Sequence, residues 1–381
     1  MRKIIILANS PLFFKQHLFS LLDNYKSNTK IYLITSFKKK YQIKIPNIIY
    51  IPIIIKRNPS IKDIFSLITF SYLRFIIRPD ISLSFTPKAG FLNAITFFLP
   101  GKTIHYFTGQ RWVTFEGLKK KFYMYIDKFI INVSKEVYCD SLSQSNFISK
   151  HLNSKSPKVI NHGSICGVDT NLFIPKKRKL LTFKNNKDEQ KKFLEFKLFL
   201  KNPNLKEDYF VFGYVGRINR DKGIITLLKA FKKHLKRFPN NKLVLIGPIE
   251  MPNKDLKIIY ENSRSLLHID YTNFIHYYYP HLKAIVLPSL REGFGSVVIE
   301  AGACKVPCIS TKVSGPIDFI EHNINGYFIK KKSEKDLLKT LNYFAENQDK
   351  ITKFGENAYK LVNKKYKKSF VKKKFLDEFG L

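Results

Sequence analysis

The chain has 381 residues, 44% of them hydrophobic and 14% aromatic, and a formal net charge of +38. It is too long for one ordinary core and too apolar for a disordered chain, which suits two domains. Four cysteines (Cys139, Cys166, Cys304, Cys308) without C-x-x-C spacing argue against a disulfide framework or a zinc site and for buried thiols in a reducing compartment.

The charge comes from 67 basic and 29 acidic residues, and only 11 of the basic ones are arginine. Abundant Lys, Asn, Ile, Phe and Tyr are what AT-rich codons supply, and that bias explains most of the lysine. Scarce arginine argues against sequence-specific nucleic-acid binding, because arginine is the residue that forks onto base edges and phosphates. An anionic membrane surface is the partner such a charge would serve.

Met1-Arg2-Lys3 leads straight into Ile4–Ala8, too short for a secretory core, and no apolar run reaches 18 residues. The expectation is a cytoplasmic protein, peripheral on the inner face of the cell membrane. Ile4–Ala8 reads as a buried parallel strand, and the Asn9-Ser10-Pro11 loop opens a helix carrying His17. Ile31–Thr35, Ile48–Ile51, Ile81–Phe85, Lys102–Phe107 and Val137–Cys139 read as further strands. Ile64–Ile77 and Ala89–Leu99 read as buried helices. Residues 175–209 turn polar and lysine-rich, as in a linker or a solvated helical excursion. Strands resume at Phe210–Val215, Lys242–Ile246, Ala284–Leu287, Pro307–Ser310 and Gly326–Ile329. Thr226–Phe238 reads as a basic amphipathic helix and Tyr366–Phe379 as a lysine-rich one. Alternating strands and helices predict an α/β protein with two Rossmann-like doubly wound domains. The expected divisions are 1–170, a basic linker or insertion over 171–208, a second domain over 209–360, and a C-terminal helix over 361–381 that can return to the first domain.

Two segments carry chemistry. In the first, the strand ending at Leu287 is followed by Pro288-Ser289-Leu290-Arg291-Glu292-Gly293-Phe294-Gly295 and a helix opening near Ser296-Val297. Seven residues separate Glu292 from Glu300. The glycines let backbone approach a ligand closely, and the helix start faces an anion with its positive dipole end. Glu300, expected in the second helical turn, can accept from a ribose diol, and Glu292 can reach a sugar hydroxyl. In the second segment, Gly213-Tyr214-Val215-Gly216-Arg217 runs to Lys222-Gly223. Arg217 can fork onto phosphate oxygens and Lys222 can add a point charge. Two cations can neutralise a diphosphate leaving group without a metal, and the chain contains no D-x-D motif. No metal and no cofactor are therefore expected.

Together the two segments resemble retaining glycosyltransferases of family 4, with two Rossmann-like domains facing a cleft (the GT-B arrangement). Thr86–Gly90, Phe107–Trp112, Asp140–Gln144 and Gly163–Asp169 resemble the bacterial branch that builds O-antigen, capsule and other surface polysaccharides. The resemblance implies transfer of a hexose or N-acetylhexosamine from a nucleotide-sugar, in first place a UDP-sugar, to a lipid-linked or lipopolysaccharide glycan. It implies that the C-terminal domain holds the donor and the N-terminal domain the acceptor. Arg217 and Lys222 then lie on the diphosphate, Glu300 on the ribose, and Glu292 with Gly293, Phe294 and Gly295 at the transferred sugar, with Gly216, Ser296 and Val297 completing the donor side. Relatives carry a histidine before a glycine after an N-domain strand, where this chain has Thr108-Gly109. His105 is then either a catalytic side chain or a satisfied, partly buried histidine, on the opposite strand face from Thr108. His17 either faces the acceptor or packs the first helix. Trp112 either stacks on a sugar or anchors the core. A nucleotide-sugar epimerase of the same form and a non-enzymatic basic membrane- or nucleic-acid-binding protein are the alternatives.

Overall fold

The computed structural model describes residues 1–22, 25, 28–36, 47–55, 60–176, 186–201, 209–251 and 264–381. The lysines at 38–40, part of the basic charge a membrane would attract, lie outside the described residues, as do 177–185 and 202–208 of the expected linker. The chain forms two compact units, Met1–Gly167 with Ser369–Leu381, and Val168–Lys368.

In the first unit seven strands form one parallel sheet: β1 (Arg2–Leu7), β2 (Thr29–Thr35), β3 (Ile48–Pro52), β4 (Ile81–Phe85), β5 (Lys102–Phe107), β6 (Glu136–Cys139) and the short β7 (Lys158–Val159). Their order is β3-β2-β1-β4-β5-β6-β7. Continuous apolar strands follow from burial of both faces. Ile4 and Ile6 pack with Phe14, Leu18 and the C-terminal Phe375 and Phe379. Ile5 and Leu7 pack on the other face with Phe70, Ile77, Ala89 and Leu92. The first helical stretch is α1 (Pro11–Phe13), a π turn (Phe14–Leu18) and α2 (Phe19–Leu22). The second face is covered by α3 (Asp63–Ile77), α4 (Pro87–Ile95), α5 (Gly117–Val133) and α6 (Leu142–Leu152).

α3 departs from the expected buried helix. Only Ser66, Phe70, Arg74 and Ile77 are buried, while Ile64, Phe65, Ile68, Tyr72, Phe75 and Ile76 are 54–63% exposed. The one charge interrupting the apolar run is on the inside. Arg74 donates to the carbonyls of Asn93, Leu99, Pro100 and Gly101 and to Thr96 and Thr103, a fan of acceptors at the end of α4. A guanidinium carries five donors, so this fan satisfies it without a carboxylate, although burial pulls its pKa down to about 10.

The second unit has a six-stranded parallel sheet: β8 (Val211–Val215), β9 (Lys242–Ile246), β10 (Leu266–Ile269), β11 (Ala284–Leu287), β12 (Cys308–Thr311) and β13 (Gly326–Ile329), ordered β10-β9-β8-β11-β12-β13. Phe212, Tyr214, Leu243 and Leu245 face α8 (Ile224–His234) and the helix Glu334–Glu346. Val244, Ile246, Ile285 and Leu287 face α7 (Lys187–Leu200) and the helices Val297–Ala303 and Gln348–Lys365. α7 is capped by Asn186, whose Oδ1 accepts from the Glu189 N–H at 3.2 Å, and it buries Phe193, Phe196 and Leu200. In both sheets the order reverses at the first strand. The reversal falls between β1 and β4 in one unit and between β8 and β11 in the other, and in doubly wound sheets ligands settle at the carboxyl ends of such a strand pair.

Candidate active site

Both sequence segments singled out above meet at the reversal point of the second unit. β8 ends at Val215, and Gly216 follows with φ +143° and its N–H on the Ile246 carbonyl at 2.9 Å. A side chain at the neighbouring Gly247 would strike the Gly216 carbonyl, so only two glycines allow this approach. The Arg217 carbonyl accepts from the Tyr214 hydroxyl at 2.6 Å, and its guanidinium meets Glu250 at 2.7 Å. Both partners of that ion pair are more than a third exposed, so it adds little stability and leaves the cation exchangeable. Asn219 accepts from the Lys222 N–H through Oδ1 at 3.1 Å, closing a single tight turn before Gly223 at φ +69°.

The loop after β11 is tied to that turn at three points. The Leu290 N–H donates to the Asp221 carbonyl at 2.8 Å, Arg291 pairs with Asp221 at 3.0 Å, and Lys222 Nζ stands 2.6 Å from Glu292 Oε1. Phe294 is buried against Tyr366, their ring centres 5.4 Å apart. Gly295 has φ +78°. Gly315 at φ +91° backs the loop where a side chain would strike the Gly293 carbonyl. The helix begins at Val297, so Glu300 lies in its first turn rather than the expected second. The Glu300 N–H bonds the Ser296 carbonyl at 3.0 Å. Its Oε2 accepts from the Tyr279 hydroxyl at 2.8 Å. Burial raises the Glu300 carboxyl above its ordinary pKa, and the bonds from Tyr279 and Ser296 oppose that rise. Arg217, Lys222, Glu292, Glu300 and the intervening glycines are thus assembled at the ends of two adjacent strands. Tyr279, Asp221 and Arg291 were not singled out in the sequence, although the last two lie inside its motifs.

The first unit holds the remaining candidates. Thr108 is half-buried in the loop after β5, and Gly109 has φ +131°. His105 is fully enclosed, apart from that loop. Its Nδ1 lies 2.9 Å from Ser84 Oγ, its ring meets the edge of Phe107 at 4.4 Å, and it fills the space a side chain on Gly90 would need. Burial holds it neutral, with a pKa pushed down to about 3. His17, in the π turn, lies 5.0 Å from the Phe13 ring and 4.0 Å from Cys166 Sγ. Burial lowers its pKa to about 4. Trp112 is a core anchor, 1% exposed, stacked on Phe147 and donating to Asp127 Oδ2 at 2.9 Å. At the reversal point of this unit Thr86 donates to Asn9 Oδ1 at 2.8 Å from a left-handed φ of +71°, unusual for a β-branched residue. The available signal was a polar residue within two positions of the end of each of β1 and β4. Among the described residues no group of three or more His, Cys, Asp or Glu could hold a metal ion.

Residues 195–361 match the family described as glycosyl transferases group 1. The capsular polysaccharide biosynthesis glycosyltransferase CapM of Staphylococcus aureus is 28% identical over 355 residues, covering 91% of this chain and 88% of that protein. An Escherichia coli UDP-Gal:alpha-D-GlcNAc-diphosphoundecaprenol alpha-1,3-galactosyltransferase is 26% identical over 83% of this chain and 81% of its own length. In fold the chain resembles sucrose-phosphate synthase of Thermosynechococcus elongatus (TM-score 0.79, 15% identity, 100% and 98% covered). It also resembles HepE of Anabaena (TM-score 0.74, 15% identity, both chains fully covered). The two parallel α/β sheets are those of the GT-B fold, residues 195–361 form a group 1 glycosyl transferase domain, and the protein is a glycosyltransferase.

Proposed function

We propose that the protein is a retaining transferase of the family 4 kind. In this reading it moves a hexose or N-acetylhexosamine from a UDP-sugar to a lipid-linked or lipopolysaccharide glycan, at the inner face of the membrane. The observation that carries the reading is the convergence of Arg217, Lys222, Glu292 and Glu300 at the carboxyl ends of β8 and β11. The relatives that act in capsule assembly and on a diphosphoundecaprenol-linked sugar support the acceptor class. Both relatives are transferases, which favours this reading over the epimerase and the non-enzymatic scaffold.

In this reading the second unit holds the donor. Glu300, held by Tyr279, accepts from the ribose diol. Arg217 and Lys222 hold the diphosphate, and the three donors of Lys222 let it keep Glu292 while reaching a phosphate oxygen. Glu292 and the Gly293–Gly295 backbone hold the sugar. The first unit holds the acceptor through the loops bearing Thr108, Gly109 and His17. The acceptor hydroxyl attacks the anomeric carbon on the face from which the phosphate leaves. The new C–O bond forms as the C–O bond to the β-phosphate breaks, and the proton passes to the departing phosphate oxygen. The two cations stabilise the charge that develops there, with no metal required. A thermal-shift panel of UDP, GDP and their sugars tests the donor. Stabilisation by UDP is expected, and no response to any nucleotide overturns the reading. A product with inverted anomeric configuration overturns retention, and activity abolished by EDTA and restored by Mg²⁺ overturns metal independence.

A further inference from the structure

We propose that the outward side of α3, with the first half of α5, is the surface by which the protein lies in an anionic bilayer. This deepens the membrane-side reading above by naming the surface. The six exposed apolar residues of α3 recur at spacings of one, three and four, on the side roughly 180° from its buried stripe at 100° per residue. That side carries no charge from Ile64 to Ile77, because Arg74 points inward, and Asp63 at the helix start is paired with Lys88. An ordinary solvated helix is charged on its outer face, and a large uncharged one marks an interaction surface.

The neighbouring helices on the same sheet face continue it. Phe97 and Phe98, just after α4, are 50% and 72% exposed. Leu118, Phe122 and Tyr125 project from α5 at spacings of four and three, with Lys119 and Lys121 exposed among them. Apolar side chains bordered by lysine suit the plane where acyl chains meet anionic headgroups. The stripe from Ile64 to Ile76 is roughly 18 Å long, well short of the ~30 Å hydrocarbon layer, so α3 would lie flat rather than cross. The net charge of +38 attracts anionic lipid and repels a second copy, which decides between those two occupants.

The test is flotation of the full chain with phosphatidylglycerol–phosphatidylcholine vesicles and with phosphatidylcholine alone. Wild type should bind the anionic vesicles, with part of the binding surviving high salt. The pair Ile68→Glu and Phe75→Glu should lower partitioning about tenfold or more, and Ile68→Ser with Phe75→Ser should fall between. The UDP-induced thermal shift should stay unchanged in both, which separates loss of this surface from loss of the donor site or of the fold. Wild type that fails to bind, binding wholly abolished by salt, or Glu variants that bind like wild type would each overturn the proposal. So would a wild-type dimer in light scattering that the same substitutions break.

Discussion

Lys222 Nζ and Glu292 Oε1 stand 2.6 Å apart across 70 residues of sequence, and the pair joins the turn after β8 to the loop after β11. Both side chains are largely shielded, so neither charge is comfortable alone. Lys222→Ala should lower turnover by about 10²–10³ if the lysine stabilises the leaving phosphate. Glu292→Gln keeps the shape, frees the lysine, and should weaken placement of the sugar more than binding of UDP. Steady-state kinetics beside UDP titration checks both, and near-normal turnover in Lys222→Ala would remove its catalytic role.

Tyr279 reaches Glu300 with a bond that opposes the upward pull of burial on the carboxyl. If the ionised carboxylate is what accepts from the ribose, UDP affinity should fall with decreasing pH, and should begin to fall above the ordinary glutamate range. Tyr279→Phe removes the opposing bond, so Glu300 should stay protonated to still higher pH. The loss of affinity should shift upward in pH by the same amount. Calorimetry of UDP binding across pH 5 to 8 reads this. An unchanged profile in Tyr279→Phe would show that the tyrosine only packs.

The long apolar strands were legible because both faces of each sheet are buried, which leaves Ile4–Ala8 or Lys242–Ile246 with a continuous signature. The two-residue β7 was not read, since so few residues carry no period, and β10 was not read because His268 interrupts its short apolar run. Hydropathy correctly marked α3 as apolar but could not say which side is covered. Arg74, the one charge in that run, is as fully buried as Phe70. The donor-side motifs were legible because close backbone approach demands glycine and a diphosphate demands cations. Tyr279 was hidden because its meaning lies in a partner 21 residues away. Trp112 was undecided between sugar and core until Asp127 supplied its hydrogen bond inside the fold.

Gly223 sits at φ +69°, where a side chain would strike the Pro288 carbonyl, a backbone atom unable to give way. Gly117 has a similar φ of +57°, but open space surrounds it. Gly117→Ala should therefore cost only the left-handed strain, on the order of 1 kcal/mol. Gly223→Ala should cost more and should also push the Lys222 turn away from Glu292, so that UDP binding weakens in step. Urea unfolding and UDP titration of the two variants test this. Equal stability losses would mean the contact with Pro288 relaxes freely.

Two enclosed carboxyls in the first unit should make stability fall as pH rises. Asp127, bonded to Trp112, and Asp140, near Tyr106, are both raised by burial from 3.8 to about 7. Between those values the folded chain keeps protons that the unfolded chain releases, so the free energy of unfolding declines with increasing pH across that window. Each group can contribute a slope of up to about 1.4 kcal/mol per pH unit. Asp127→Asn keeps an acceptor for the Trp112 N–H and removes one titration. Relative to wild type it should gain stability steadily from pH 5 to pH 7, measured by urea unfolding at each pH. A variant whose slope equals that of wild type would show that Asp127 is already ionised in the folded chain, and that the Trp112 bond outweighs its burial.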